Sequence, residues 1–248
     1  MQTTHIESAE AGYRIALGLH LERTAAGWRP LGRKIGFTNR SLWPRYGVYQ
    51  PIFGFVYERT VTFAHEGRAT ISLEGLAQPR IEPEICFGLK GAPSRTKDPA
   101  EVLSAIEWIA HSIEIVHCTV PNWQMKVGDA TSANGLHGAL IVGRKVPIAD
   151  FREAASRIPA LKVTMSKGDT VVDRGIGANV LDSPLLALAH LVDLLGTLPE
   201  FPQLSAGEII STGTLTDAAP VAAGESWSTQ FEGNELPGLT IRFTADPF

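Results

Sequence analysis

Arg80-Ile-Glu-Pro-Glu-Ile-Cys-Phe-Gly-Leu89 reads as a β-strand with an unusual burden. Residues two apart on a strand point to the same side, so Glu82 and Glu84 project together. Ile81, Ile85 and Phe87 then form the buried face. Two carboxylates that close repel each other unless a cation or a proton neutralises them. A solvated strand face is the alternative reading of the pair alone. A third acid weighs against it. Glu114 lies within Trp108-Ile-Ala-His-Ser-Ile-Glu-Ile-Val-His117, an otherwise apolar strand. An unpaired carboxylate there is costly and calls for a cation or a strong hydrogen-bond network. Three carboxylates without a cysteine cluster suit a hard ion such as Mg²⁺ or Mn²⁺, with His111 or His117 as further candidate ligands.

Three other stretches could serve such a centre. In Gly32-Arg-Lys-Ile-Gly-Phe-Thr-Asn39, Lys34 stands between glycines that permit close backbone approach to a ligand, and a carboxylate-bearing substrate would want its charge. The polar segment 121–135 follows the Glu114 strand and offers Asp129, Lys126 and Asn134. Gly207-Glu-Ile-Ile-Ser-Thr-Gly-Thr-Leu-Thr216 ends a strand in hydroxyls and N–H groups that could meet a carboxylate or enolate oxygen. Taken singly, each candidate also reads as an ordinary turn or surface residue.

Outward from these motifs, residues 8–26 read as a helix carrying Tyr13, Ile15, Ala16, Leu19 and Leu21. Residues 30–60 are rich in glycine and proline and read as loops with short strands. Strands are expected at 60–64, 69–73, 80–89, 112–118 and 138–143, and near 208–212, 226–231 and 239–243. Asp98, Pro99 and Glu101 predict a capped helix running to about Ala110, and Asp150 with Glu153 a short second one. Ser166-Lys-Gly-Asp169 joins a hairpin, and Ser183-Pro184 opens an apolar helix ending near Gly196. The result is a β-rich, mixed α/β chain without strict βα alternation.

Several classes are excluded by what is lacking. No Walker loop or strand-borne GxGxxG supports nucleotide binding. A net charge of −4 with dispersed Lys and Arg argues against nucleic acid. No run of about 18 apolar residues predicts a membrane span. Cys86 and Cys118 form no CxxC and read as core residues of a reducing compartment. The polar segment Met1–Ile15 lacks a leader's apolar core, so a cytoplasmic location is expected.

Together the motifs resemble the 2-keto-4-pentenoate hydratase / 4-oxalocrotonate decarboxylase family of the fumarylacetoacetate hydrolase superfamily. Lys34-Ile-Gly-Phe-Thr38 is similar to the family's KIGLT, and Gly47-Val-Tyr-Gln-Pro-Ile-Phe-Gly54 to its GV-x-x-P-x-x-G. Glu82-Pro-Glu84 and Glu114 match its three metal-binding acids. Asn122-Trp123, Asp129 and Asn134 fall on its D-W-K-x₄-D-x₃-D-N-A-S stretch, and Thr212-Gly-Thr-Leu-Thr216 on its T-G-S-L-T. The resemblance runs from about Ala9 to Phe243. Departures fall at His117 (usually Asp), Gln124 (usually Lys) and Ala133-Asn-Gly-Leu-His137, which replaces D-N-A-S-S.

The resemblance implies one catalytic domain over residues 1–248. Its first part, 1–60, is helical and loop-rich. The remainder, 61–248, is a metal-binding β-rich mixed sheet or roll with flanking helices. It implies that Glu82, Glu84 and Glu114 hold Mg²⁺ (or Mn²⁺). Lys34 and Asp129 would act in catalysis, and Lys34, Thr38, Asn134, Thr212 and Thr214 would bind a small 2-oxo acid. The implied reaction adds water to a 2-hydroxy-2,4-dienoate to give a 4-hydroxy-2-oxo acid, in aromatic compound catabolism. A decarboxylase of a 4-oxalocrotonate-like diacid, a C–C hydrolase, and a non-catalytic partner subunit remain alternatives. The substitutions at Gln124 and Ala133 are the support for the last. A homo-oligomer is expected, as is association with a related hydratase or decarboxylase subunit.

Overall fold

The computed structural model describes residues 4–233 and 236–245, so Met1–Thr3 of the expected leader-free segment lie outside it. In chain order the strands are β1 (Pro30–Gly36), β2 (Ile52–Tyr57), β3 (Val61–Phe63), β4 (Arg68–Ser72), β5 (Arg80–Leu89), β6 (Ile106–Val116) and β7 (His137–Val142). There follow β8 (Val146–Pro147), β9 (Lys162–Lys167), β10 (Thr170–Ile176), β11 (Ile209–Thr214), β12 (Ala219–Pro220), β13 (Ser226–Phe231) and β14 (Thr240–Thr244). The helices are α1 (Ala9–Ala25), α2 (Trp43–Tyr46), α3 (Pro99–Ser104), α4 (Val127–Ser132), α5 (Ala154–Ala160) and α6 (Pro184–Gly196).

Two sheets result. The larger runs β2-β1-β11-β5-β6-β7-β3, with β12 on β5 and β8 on β6; the smaller runs β10-β9-β13-β14-β4. The larger sheet is mixed: β1 lies parallel to β11 and β3 to β7, and its other pairs are antiparallel. Ile81, Ile113, Ile115 and Ile141 pack between the sheets against Met165, Trp227, Ile241 and Phe243. The main core joins Ile85, Phe87 and Ile109 to Leu185, Leu188 and Leu191 of α6. The opposite side of β5 and β6 is buried too, with small residues such as Cys86 and Ala110. The solvated face that was the alternative reading of Glu82 and Glu84 alone is not what forms: Glu84 and Glu114 stand on a second buried face, with Glu82 half-buried beside them.

Local chemistry explains where helices stop. Asp98 accepts from Ala100 N–H as an N-cap, but its own N–H is taken by Thr96 Oγ1 rather than by Glu101. α3 ends at Ser104 instead of about Ala110, because Ile106, Trp108 and Ile109 are more useful as strand residues paired along β5. Neither Asp150 nor Glu153 caps α5 through its side chain. On α1 the buried residues include Tyr13, Ala16 and His20, while Ile15 and Leu21 are exposed.

The segment Gly177–Gly196 is long and apolar enough to cross a membrane by composition, with a mean hydropathy of 1.3. Its α-helical part, α6, has only 13 residues and seven of them are buried. At about 1.5 Å per residue it falls short of the roughly 30 Å of a hydrocarbon core. It is a core helix.

Candidate metal centre and substrate pocket

The register of β5 against β6 creates the centre. Glu82 stands directly opposite Glu114, and Glu84 opposite Ser112. One carboxylate oxygen from each of Glu82, Glu84 and Glu114 lies within 4.8 Å of the others. Glu84 and Glu114 are fully buried. Like charges opposite one another are unfavourable, so the neighbours must compensate.

They do so unequally. Glu84 Oε2 accepts from Ser211 Oγ at 2.6 Å and from Gly213 N–H at 3.0 Å, while its buried Oε1 has no hydrogen-bond partner. Glu114 Oε1 is 2.8 Å from His137 Nδ1. Its Oε2 is 3.0 Å from Lys34 Nζ, in an ion pair without hydrogen-bond alignment. Burial and the adjacent Glu114 and Glu82 push the Glu84 carboxyl well above its ordinary range. Burial raises Glu82 to about 7, against the pull of Lys34. Glu114 is held low: the Lys34 ammonium and the His137 hydrogen bond outweigh its burial. Fully ionised, the three acids would carry more negative charge than one ammonium balances, so without a cation the group holds protons; Glu84 Oε1 is buried with no partner. That donor set fits a hard divalent cation, whose ligands are carboxylate oxygens.

A cavity of about 170 Å³ opens beside these acids. Its polar lining includes Lys34, Glu82, Thr38, Thr214 and Arg80. Its apolar walls include Ile52, Leu42, Val116, Trp123, Met125 and Leu136. Lys34 lies within β1, not in a turn, and its Nζ also donates to Gly135 O at 2.8 Å. An ammonium has three protons, so one remains for a ligand. The neighbouring Gly32 serves packing rather than ligand approach, since a Cβ there would lie 1.9 Å from Ile209 O. Thr38 Oγ1 is buried without a hydrogen-bond partner and lines the cavity. The Arg80 guanidinium stacks 4.3 Å from the Trp123 ring and forms no ion pair among the described residues. Arg80 and Trp123 were not singled out by sequence reasoning as pocket residues; Arg80 shares the parity of Glu82, which was the available signal.

Several expected site residues are employed elsewhere. Asp129 is outside the cavity lining; it accepts from Ile6 N–H and Lys126 N–H and meets His5 Nδ1 at 2.6 Å, tying residues 5–6 to α4. Asn134 clamps β2 by accepting from Phe55 N–H and donating to Phe55 O. Thr212 Oγ1 donates to Ile85 O. Thr214 does line the cavity. Ser211 pairs with Cys86 in regular register and so shares the face of Glu84, whereas a bulge makes Thr214 rather than Gly213 face Glu84. Ser211, not Thr212, thus reaches the acids. Lys126 is exposed and bonded to Glu7. His111 turns away to Glu84 O and Thr229 Oγ1, and His117 is outside the cavity lining. Gln124 and Ala133, the departures that favoured a non-catalytic subunit, are both exposed and outside the cavity lining.

Comparison with known proteins follows the same lines. Residues 47–240 match the model of the fumarylacetoacetate (FAA) hydrolase C-terminal family. The chain is 34% identical over 242 residues to a 2-hydroxyhexa-2,4-dienoate hydratase of Comamonas testosteroni, covering 96% of this chain and 87% of the relative. It is 33% identical over 212 residues to 2-keto-4-pentenoate hydratase 2 of Dechloromonas aromatica (strain RCB), covering 84% and 77%. A solved 4-oxalocrotonate decarboxylase from Pseudomonas putida G7, complexed with magnesium and adipate, superposes with a TM-score of 0.84 at 27% identity. That likeness covers 95% of this chain and 86% of the other.

Proposed function

Since the chain belongs to the fumarylacetoacetate hydrolase family, we propose that it is a divalent-metal-dependent hydro-lyase that hydrates a 2-hydroxy-2,4-dienoate to a 4-hydroxy-2-oxo acid. The observation that carries this reading is the triad Glu82, Glu84 and Glu114 beside Lys34, with Glu82 and Lys34 lining a cavity that has apolar walls. A small acid with an unsaturated tail suits that division of polar and apolar lining. The relatives' names support the reaction class.

In this reading Glu82, Glu84 and Glu114 hold the cation, and Mg²⁺ is the best match to an all-oxygen donor set. When bound, the ion supplies Lewis-acid stabilisation of negative charge on the 2-oxo oxygen. The chain's own groups do the rest. Lys34 turns its remaining proton toward the same oxygen and lowers the cost of charge there. Thr38 Oγ1 and Thr214 orient the polar head of the substrate. Arg80 offers the cavity a guanidinium for a carboxylate. Leu42, Met125 and Leu136 line the tail and limit bulk water. Atoms balance simply: the 2-hydroxyl proton is exchanged for a proton on carbon as the dienol becomes the 2-oxo-enoate. Water then adds its oxygen to C4 and a proton to C3.

The test is direct. The purified protein is mixed with 2-hydroxypenta-2,4-dienoate in Mg²⁺ or EDTA and followed by proton NMR. Formation of 4-hydroxy-2-oxopentanoate only with metal is expected; no turnover of this or the six-carbon dienoate would overturn the reading. A second reading, decarboxylation of a 2-oxo diacid, is favoured by the likeness to the solved decarboxylase and by Arg80, which has no ion pair among the described residues and suits a second carboxylate. Release of CO₂ from such a diacid would select it.

A further inference from the structure

β7 does not enter the large sheet in regular register. Ile115 faces Ala139, but Val116 faces His137, so Gly138 is the extra residue of a bulge. In an unbroken antiparallel ladder Val116 would oppose Gly138, and His137 would project with Ala139 and Ile141 on the other face. The bulge turns His137 onto the face of Glu114. A side chain at Gly138 would put Cβ 2.8 Å from Ile115 O, so the bulge depends on glycine.

Once turned, the imidazole is gripped at both nitrogens. Nδ1 lies 2.8 Å from Glu114 Oε1 and Nε2 lies 2.9 Å from Thr60 Oγ1. Thr60 is itself fixed, its Oγ1 accepting from Tyr57 N–H at 3.2 Å and lying 3.1 Å from Tyr57 O, so its one proton can go to Nε2 when Nδ1 donates to Glu114. The His137 side chain is 1% exposed and is not part of the cavity lining. It therefore reaches a ligand only through Glu114.

We propose that His137 is a positioning residue of the acidic centre: by donating Nδ1–H to Glu114 Oε1, it fixes the carboxylate so that Oε2 stays aimed at Lys34 and the other two acids. The inference rests on reading Glu82, Glu84 and Glu114 as a cation site. Without the imidazole, Glu114 has a free rotamer and must be ordered when a cation binds, which weakens binding.

The experiment measures Mn²⁺ binding by electron paramagnetic resonance and Mg²⁺ binding by calorimetry, with folding of every variant checked by circular dichroism and melting in EDTA. An asparagine amide can take the place of Nδ1, whereas a glutamine amide takes that of Nε2. His137→Asn should keep the metal affinity within about threefold, and His137→Gln and His137→Ser should each lose about 10- to 100-fold. Thr60→Val, which releases only the far nitrogen, should give a smaller loss. Wild-type affinity in a folded His137→Ser protein would overturn the proposal. Equal losses in the Asn and Ser variants would overturn it too, by showing that ring packing rather than the Nδ1 donor matters. Undiminished binding in Glu84→Ala and Glu114→Ala would instead sink the cation site itself, which separates the two failures.

Discussion

Replacing Glu82 with glutamine should make the metal-free protein more stable at alkaline pH while removing its response to metal. Burial raises the Glu82 carboxyl from 4.5 to about 7, only partly offset by Lys34 and reinforced by Glu114 across the strand pair. The folded protein thus holds a proton that the unfolded chain releases between pH 4.5 and about 7, so stability falls as pH rises through that window. That pKa gap corresponds to roughly 3 kcal/mol as an upper bound. Water reaches Glu82 at the cavity, which brings the expected effect to about 1–2 kcal/mol. Glutamine keeps the shape and removes the charge. Urea unfolding in EDTA would be compared at about pH 5 and about pH 8, with the difference between wild type and variant as the readout. The two should be equal at the acidic value, and the variant ahead by about 1–2 kcal/mol at the alkaline one. Saturating Mg²⁺ should reverse the order, since 100 Kd of ligand adds about 2.7 kcal/mol to the protein that binds it. A variant less stable than wild type at the alkaline pH in EDTA would refute the argument, because it would mean Glu82 is favourably held without a cation.

Lys34→Met should destabilise the metal-free protein by about 3 kcal/mol, because it strands the buried Glu114 carboxylate, and Mg²⁺ should restore part of the loss; melting curves unchanged in EDTA would show that Lys34 does not neutralise the centre. Arg80→Gln should raise KM for an anionic substrate about tenfold with kcat within about twofold, the pattern of lost uniform binding. A fall in kcat alone would assign Arg80 another role. Gly213→Ala should cost about 2 kcal/mol, since φ is +105° and the new Cβ would lie 1.9 Å from Thr38 Oγ1; an unchanged urea midpoint would show that the two segments separate easily.

Much of the fold was written in local chemistry. The alternation in residues 80–89, the Ser183 cap before Pro184, and the turn at Gly168 with φ +54° each act within a few residues, and each element formed where that chemistry puts it. Elements decided by distant contacts were harder. Residues 106–110 have no strong local objection to a helix, yet Ile106 and Trp108–Ala110 pair with β5, and the sheet wins. On α1, Tyr13 and His20 face inward because they meet Phe53 and Tyr57 of β2, leaving Ile15 and Leu21 exposed. No helical period in the sequence encodes those partners.

The site divides along the same line. The three acids were legible because a carboxylate in an apolar strand demands compensation wherever its partners lie. The Thr214 hydroxyl and the His137 imidazole near them were not, because their facing depends on two bulges. Unbroken alternation would put Thr212 and Thr214 on one face and His137 with Ala139 on another. One extra residue in β11 separates Thr214 from Thr212 and puts it on the face where Ser211 already meets Glu84; one extra residue in β7 brings His137 to Glu114. Each bulge includes a glycine whose Cβ would collide, Gly213 against Thr38 and Gly138 against Ile115. An isolated glycine in a strand pattern is thus the sequence signal that was available here. It marks where parity must be reversed before side chains are assigned to a face, and applying that reversal at Gly138 and Gly213 puts His137 on the face of Glu114 and Thr214 on the face of Glu84.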